Sequence, residues 1–462
     1  MCSLEAKLYR EDRVNQARIK RRRLLAAGTT LGFGTLAAPP VVGQARPFAG
    51  QIINGAAFQS TFFEYLRPKF PEFEERTGIK ANFNTQAFPI YNQRTDLELS
   101  TRGSALDVIN VTFIYSGRWI GAGWLTDLGE FASDPNRTPP DWDPADFVSG
   151  AQSAMTSAQG RVHGYTWEAG AMLLAASRAD LLDRTGVGMP TTFDELVRVC
   201  EAVHGRDGLS AFVADRLHHW NWIPYLMGMG GGVFKAPPEN LTPTLATPEA
   251  VRAAQWYAEL LSRFGPPGGL SFTDDQAMRT QMAGRSMFRT QAITWLVPLA
   301  KHAESTVRDT VRYSLMPRGP AGNFPGSNSH GLGIPAGSRR KEAAWEFIKW
   351  ALSKEMITRI VREHGYPSVC RRSVIQGEAF HQALTLNGQD VASMYLQVLE
   401  LGDRSGYMRY RTVPAFPQVG DTINRGIERI ATKQQDAPAA MRQAQQDAVQ
   451  VLQRAGVQLD GG

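Results

Sequence analysis

Short apolar runs alternate with amphipathic stretches from Arg46 onward, the pattern of an α/β chain. Gln51-Ile52-Ile53 predicts a strand and Ala56–Ser60 a loop. A helical face of Phe62, Leu66, Phe70 and Phe73 follows, with Pro68 and Pro71 forcing a kink and Gly78 ending it. Ala81–Asn84 and Leu106–Val111 read as further strands. The uncharged run Ala169–Ala176 has the length of a buried strand, entered through Tyr165, Thr166, Trp167 and Glu168. Its polar and aromatic entry suits the edge of a cleft. Ala179–Gly186 is a short amphipathic helix with a glycine stop. Thr192 with Glu195 forms a capping-box signature, and Thr247-Pro248-Glu249 starts a helix burying Val251, Ala254, Ala258 and Leu261. Strands resume at Ser286–Arg289 and Val311–Met316. Arg339–Arg362 predicts one long helix on Ala344, Phe347, Ile348, Ala351 and Leu352, broken by Gly365-Tyr366-Pro367. From Asp436 a helix uses Met441, Ala444, Ala448, Val451 and Leu452. Connections are short and scattered, so any two lobes are interleaved.

Composition alters this picture in one place. The 462 residues carry a net charge of +6, which invites a polyanion partner. Residues 1–45 alone hold eight Lys or Arg and three acids, leaving 42 basic against 41 acidic residues beyond them. The basic character belongs to a leader, and a nucleic-acid partner is not expected. That leader has the n-, h- and c-region order of an export signal. Arg21-Arg22-Arg23-Leu24-Leu25 resembles a twin-arginine signal, and Gly43-Gln44-Ala45 supplies small residues for cleavage near Ala45. The expectation is a 1–45 signal peptide and a periplasmic mature protein. Cys200 falls on the apolar face of Phe193, Leu196, Val197 and Val203, as an inert buried thiol. Cys370 lies in a loop-like stretch, and one disulfide between the two is possible.

Catalytic signatures are poor: the chain has no GxSxG elbow and no HExxH, and Gly228–Gly232 lacks the lysine of a phosphate loop. No cofactor is expected. The tryptophans are more informative. Trp256, Trp345 and Trp350 sit in helix patterns as core. Trp119, Trp124, Trp167, Trp220, Trp222 and Trp295 sit in loops or at element ends beside polar residues. Aromatic faces offer flat platforms for the C–H side of a sugar ring, and neighbouring polar groups satisfy its hydroxyls.

Several segments then carry a resemblance. Phe70–Ile79 (FPEFEERTGI), Asp107-Val108 with Gly123–Leu128 (GWLTDL), and Met189–Leu196 (MPTTFDEL) occur in order. Pro266-Pro267-Gly268 with Gly284–Phe288, Gly331–Ser338 (GLGIPAGS) and Ala343–Ile348 (AAWEFI) follow. Over residues 47–375 the chain resembles the family 1 extracellular solute-binding proteins, the carbohydrate-binding subunits of ATP-binding-cassette importers. Ser177-Arg178 and Tyr366–Cys370 depart from the family pattern.

The resemblance implies a two-lobed type II periplasmic binding protein, α/β, with discontinuous lobes joined by crossing strands. Lobe 1 would comprise 46–168 and 316–364, lobe 2 169–315 and 365–462, with Gly164–Pro190 holding the first crossing. It implies ligand contacts at Phe58, Gln59, Ser60, Thr112 and Tyr115, and opposite them Trp220, Trp222 and Trp295. Trp167 and Glu168 adjoin the crossing, and Ser329, His330 and Tyr366 stand at matching loop positions. The function implied is a monomeric, non-enzymatic receptor that delivers a sugar or polyol to membrane permease subunits. An anion or polyamine binder is the alternative, with Arg118, Arg289 and Arg371 available to an anion. A secreted hydrolase or redox enzyme is the third reading.

Overall fold

The computed structural model describes residues 47–459. The leader, its arginine motif and the cleavage site at Ala45 lie outside them. One eight-stranded mixed sheet organises the chain. Its strands are β1 (Ile52–Phe58), β2 (Lys80–Gln86), β3 (Val108–Thr112), β4 (Tyr165–Ala176), β5 (Ser210–Phe212), β6 (Ser286–Ala292), β7 (Arg312–Leu315) and β8 (Ser327–Gly333). The order is β2-β1-β3-β8-β4-β6-β5, with β7 also on β4.

The twelve-residue β4 changes partners along its length. Tyr165–Ala171 pairs antiparallel with β8, whereas Met172–Ala176 lies between β6 and β7. Every residue of β4 except Glu168 is buried, which is why the run reads as uninterrupted apolar sequence. The strand starts four residues earlier than its apolar pattern predicted, because Tyr165 and Thr166 already pair with Leu332 and Gly331. β1 likewise runs on through Ala56–Phe58, where a loop was expected, held between parallel neighbours β2 and β3.

The helices follow their signals with two exceptions, the helix over 339–362 and the capping box at Thr192. The predicted kink at Pro68 and Pro71 appears as a 3-10 turn, Arg67–Lys69, between Thr61–Leu66 and Phe70–Thr77, and Gly78 closes the second helix at φ 76°. The expected single helix 339–362 is two, Lys341–Ala351 and Lys354–His364. Ser353 caps the second by accepting from Met356 N at 3.1 Å. The box at Thr192 is split: Thr192 accepts from Glu195 N, but Glu195 reaches back to Thr191, not to the capping residue. Trp256, expected in the core, is only half-buried, while Trp345 and Trp350 are buried. Both cysteines are buried and free, so the possible disulfide is not formed, and Cys370 is sealed rather than in an open loop.

Helical packing beyond residue 365 was mostly not legible. Val391–Ser405 lies across β4, where the Tyr395 hydroxyl reaches the carbonyls of Ala169 and Val369 at 2.6 and 2.7 Å. The tail helix Ala437–Arg454 packs on Phe416–Ala431 through Ala440, Met441 and Ala444.

Candidate functional site

The end of β1, the segment after β3 and the strands β4 and β8 converge on His330. Its ring lies 4.7 Å from Phe58, 5.3 Å from Phe113, 5.8 Å from Phe88 and 5.9 Å from Trp167. Burial pushes the imidazole down to about 3, so His330 is neutral at physiological pH and its Nδ1 has no partner. Expected in a loop, His330 stands in β8; the stretch SNSHGLG has too many small residues to show a strand period.

Glu168 pairs with His330 across the strands, and Asn328 pairs with Gly170. Antiparallel partners share a face, so a carboxyl and an amide stand on one floor beneath the rings. A Cβ at position 170 would come within 1.8 Å of Asn328 Oδ1, so glycine there leaves room for the amide. Asn328 Oδ1 has no partner. Glu168 keeps partial exposure, yet the protein around it pushes its carboxyl up to about 8 by desolvation alone. A polar group that is deep, open on one side and without a cation is suited to hydroxyl donors.

The folded-state pKa of Glu168 lies above its ordinary 4.5. The protonated acid is therefore favoured by folding, and that stability is complete below pH 4.5 and lost as pH rises through 8. Because the group is partly wet, the loss is on the order of 1–3 kcal/mol. Glu168→Gln is expected to raise the melting temperature of ligand-free protein at pH 8.5 and to leave it nearly unchanged at pH 4. Equal melting shifts at both pH values would contradict this.

Beyond Phe113, Trp220 stands on the helix His218–Asn221, buried, with its ring 5.9 Å from Phe113. Trp220 Nε1 donates to Gln291 Oε1 at 2.7 Å, and Gln291 Nε2 donates to Asp215 Oδ2 at 3.0 Å and Asp274 Oδ1 at 2.8 Å. Arg289, fully buried, also serves both acids, at 3.4 and 2.6 Å. Burial and the neighbouring Asp215 raise the Asp274 carboxyl, whereas Arg289 holds Asp215 down.

Two residues absent from the sequence reading complete this side. Arg411 is buried with its guanidinium 4.7 Å from the Trp220 ring and 5.2 Å from Phe113, Tyr410 and Phe416. It donates to Tyr410 Oη and His219 O at 2.9 Å each, and its Nη1 is unpaired. Tyr407 meets Trp220 edge-on at 6.4 Å. Neither position has a local motif; the fold brings them 190 residues along the chain to Trp220.

The other expected residues divide. Gln59 is exposed; Tyr115 and Trp295 are half-buried, and Trp295 lies on the helix Ile293–Lys301. Ser60 accepts from Phe63 N at 3.5 Å as a helix cap. Thr112 Oγ1 donates to Asn92 Oδ1 at 2.8 Å, and Ser329 Oγ to Ala151 O at 2.7 Å. Trp119, Trp167 and Trp222 are fully buried and carry no open face, contrary to their loop-edge reading. Trp167 stacks on Phe62 at 4.7 Å and donates to Asn110 Oδ1 at 3.1 Å. The Tyr366 hydroxyl is buried without a partner.

The three arginines set aside for an anion are all committed. Arg118 forks onto Asp96 at 2.7 and 3.2 Å, Arg289 is held as above, and Arg371 meets Asp146 at 3.3 Å between the rings of Trp142 and Phe147. Cavities of about 670 and 630 Å³ lie elsewhere, the first beside Trp142 and Trp350, the second between Ile120 and Arg409. What marks the site is the convergence of rings and unpaired polar atoms, not cavity size.

Residues 55–357 match the family described as bacterial extracellular solute-binding protein. The mannitol-binding protein of Pseudomonas aeruginosa is 23% identical over 386 residues, covering 79% of this chain and 85% of its own length. A probable amino-acid ABC transporter periplasmic-binding protein of Sinorhizobium fredii is 24% identical over 338 residues, 70% of this chain and 74% of its own. An ABC transporter solute-binding protein of Agrobacterium radiobacter, solved in complex with ribitol, superposes with a TM-score of 0.77 at 22% identity. The match covers 87% of this chain and 99% of that one.

Proposed function

The chain belongs to the bacterial extracellular solute-binding proteins, and from that premise we propose that it captures a sugar or acyclic polyol in the periplasm and delivers it to the permease subunits of an ATP-binding-cassette importer. It makes and breaks no bond. The observation that carries this reading is the floor formed by Glu168 and Asn328 beneath Phe58, Phe88, Phe113 and His330, with Trp220 beyond Phe113. Aromatic walls with unpaired neutral or acidic acceptors, with Arg118, Arg289 and Arg371 taken up by carboxylates and Arg411 buried among four rings, favour a hydroxylated ligand over an anion. The mannitol- and ribitol-binding proteins among its relatives support the same class.

In this reading Phe58, Gln59, Ser60 and Tyr115 face Trp220 and Trp295 across the ligand, with Glu168 and His330 below. Thr112, Trp167, Trp222, Ser329 and Tyr366 support them from behind. Lobe 1 comprises 46–168 and 316–364, lobe 2 the remainder of the exported chain, and the change of strand partners between Ala171 and Met172 supports a crossing there. Ligand touching both lobes then favours the closed state. Export by a twin-arginine route with cleavage near Ala45 belongs to the same proposal.

A thermal-shift screen against alditols, aldoses, amino acids and small anions tests it. A ligand at 100 times its Kd adds about 2.7 kcal/mol of stability, so at least one alditol or sugar is expected to raise the melting temperature by a few degrees. An amino acid is the second reading, favoured by the Sinorhizobium relative. Shifts by amino acids or anions alone would sink the polyol assignment.

A further inference from the structure

We propose that Asp215 and Asp274, sharing the Arg289 guanidinium and the Gln291 amide, form a proton-sensitive mount for Trp220 that tightens ligand capture as pH rises through neutrality. The inference rests on the reading that Trp220 touches the ligand. Its geometry does not. Arg289 Nη2 and Gln291 Nε2 each serve both carboxylates, at 3.4 and 2.6 Å and at 3.0 and 2.8 Å. The other end of the same amide, Gln291 Oε1, accepts from Trp220 Nε1 at 2.7 Å and from Ala292 N at 2.8 Å. The amide is thus held at four points, two donors on its oxygen and two carboxylates on its nitrogen, and Asp274 is the one of these that takes up a proton.

Two acids around one guanidinium leave one excess negative charge in a buried site, and such pairs share a proton. Asp215 is the acid that stays ionised. It is sealed, and it accepts additionally from Leu217 N at 2.9 Å and Asn221 Nδ2 at 3.1 Å. Asp274, in the first turn of the helix Asp274–Met282, is 22% open to solvent and accepts from Arg289 and Gln291 alone. It is the acid that takes up the proton. The other titratable groups facing the pair do not compete. Desolvation pushes the buried His218 down to about 4 and the half-buried His219 down to about 3, the Tyr257 phenol is held protonated by burial, and the Arg411 guanidinium 4.7 Å from the Trp220 ring is a fixed charge. Asp275, the next residue, is exposed and bonded to Arg279 at 2.8 Å.

With Asp274 ionised, Gln291 is drawn toward it and presents its oxygen to the indole. With Asp274 protonated, that acceptor weakens, Asp215 alone remains as a charged acceptor of the Gln291 nitrogen, and the hold on the indole loosens. Glu168, whose carboxyl is pushed up to about 8 by desolvation, also titrates within the interval, and the variants separate the two.

The test follows the fluorescence of the ligand-free protein and its affinity for ribitol and D-mannitol, by calorimetry, from pH 5.5 to 8.5. The fluorescence is expected to change near neutrality in wild type and Glu168→Gln, and to stay flat in Trp220→Phe and Asp274→Asn. Affinity for the alditol that binds is expected to rise about tenfold over the same interval, to lose this dependence in Asp274→Asn, and to keep it in Asp275→Asn. A wild-type fluorescence profile in Trp220→Phe, or a wild-type affinity profile in Asp274→Asn, overturns the mount. Failure of every alditol to bind at any pH refutes the polyol reading instead, and the fluorescence titration alone then decides the mount.

Discussion

Trp220→Ala is expected to weaken binding of the cognate sugar or polyol about 100-fold and to lower stability by about 3 kcal/mol. The two losses have different origins. In the proposed reading the indole is a ligand platform, and its removal takes that platform away. It is also a structural keystone: Phe113 at 5.9 Å, Tyr407 at 6.4 Å and Arg411 at 4.7 Å all pack on it. Without it, Gln291 Oε1 loses its indole donor and the buried Arg411 loses one of four aromatic neighbours. Trp295→Ala separates the effects, because Trp295 is half-buried. It is expected to reduce affinity with little change in melting. Calorimetric titration and thermal melts of both variants check this; unchanged affinity in both would remove the two tryptophans from the site.

Arg289→Leu is expected to cost 3–5 kcal/mol of stability, roughly the penalty for stranding buried carboxylates without their cation. Arg289 has no exposed surface and Asp215 is equally sealed, so neither water nor salt can compensate. The deficit is expected to shrink between pH 8 and pH 5, because Asp274, already raised by burial and by Asp215, takes up a proton and removes one uncompensated charge. Arg312→Leu is the control. Arg312 makes an equally short contact to Asp183, 2.7 Å, but both side chains are about half exposed, and such pairs contribute about 1 kcal/mol or less. Chemical denaturation at the two pH values distinguishes the cases. A pH-independent loss in Arg289→Leu would show that the acids are not the reason for its burial.

Family membership was legible in the sequence because it resides in turns and caps that short-range chemistry dictates. FPEFEERTGI ends at a glycine with φ 76°, and MPTTFDEL begins a helix whose Thr192 accepts from Glu195 N. The strand β4 was legible for a simpler reason: Ala169–Ala176 is buried on both faces and carries no polar residue. The same logic failed for β8. SNSHGLG is nearly as buried as β4 but is built of small and polar residues: its backbone pairs with β3 and β4 and Ser329 donates to Ala151 O, while Ser327 Oγ, Asn328 Oδ1 and His330 Nδ1 have no partner. The long helix expected over 339–362 failed because Ser353 caps a new helix within a continuous apolar stripe, and periodicity does not register a break that preserves the stripe.

The candidate site divides along the same line. Phe58, Trp167, Glu168, Trp220 and His330 could be named from sequence because they sit in segments whose order is that of a family. Whether a ring is open or sealed is set by its neighbours: Trp167, Trp220 and Trp222 all stand beside polar residues in the sequence, yet all three are buried, whereas Trp295 is half-buried. Phe88, Phe113, Asn328, Tyr407 and Arg411 could not be named at all. The sequence by itself determined the α/β class, the family and the buried strand β4. Only the tertiary structure decided that the candidate arginines are neutralised, that Glu168 stands without a cation, and that a C-terminal arginine packs on Trp220. Burial and pairing of charges depend on which distant segments meet, and local periodicity holds no record of that.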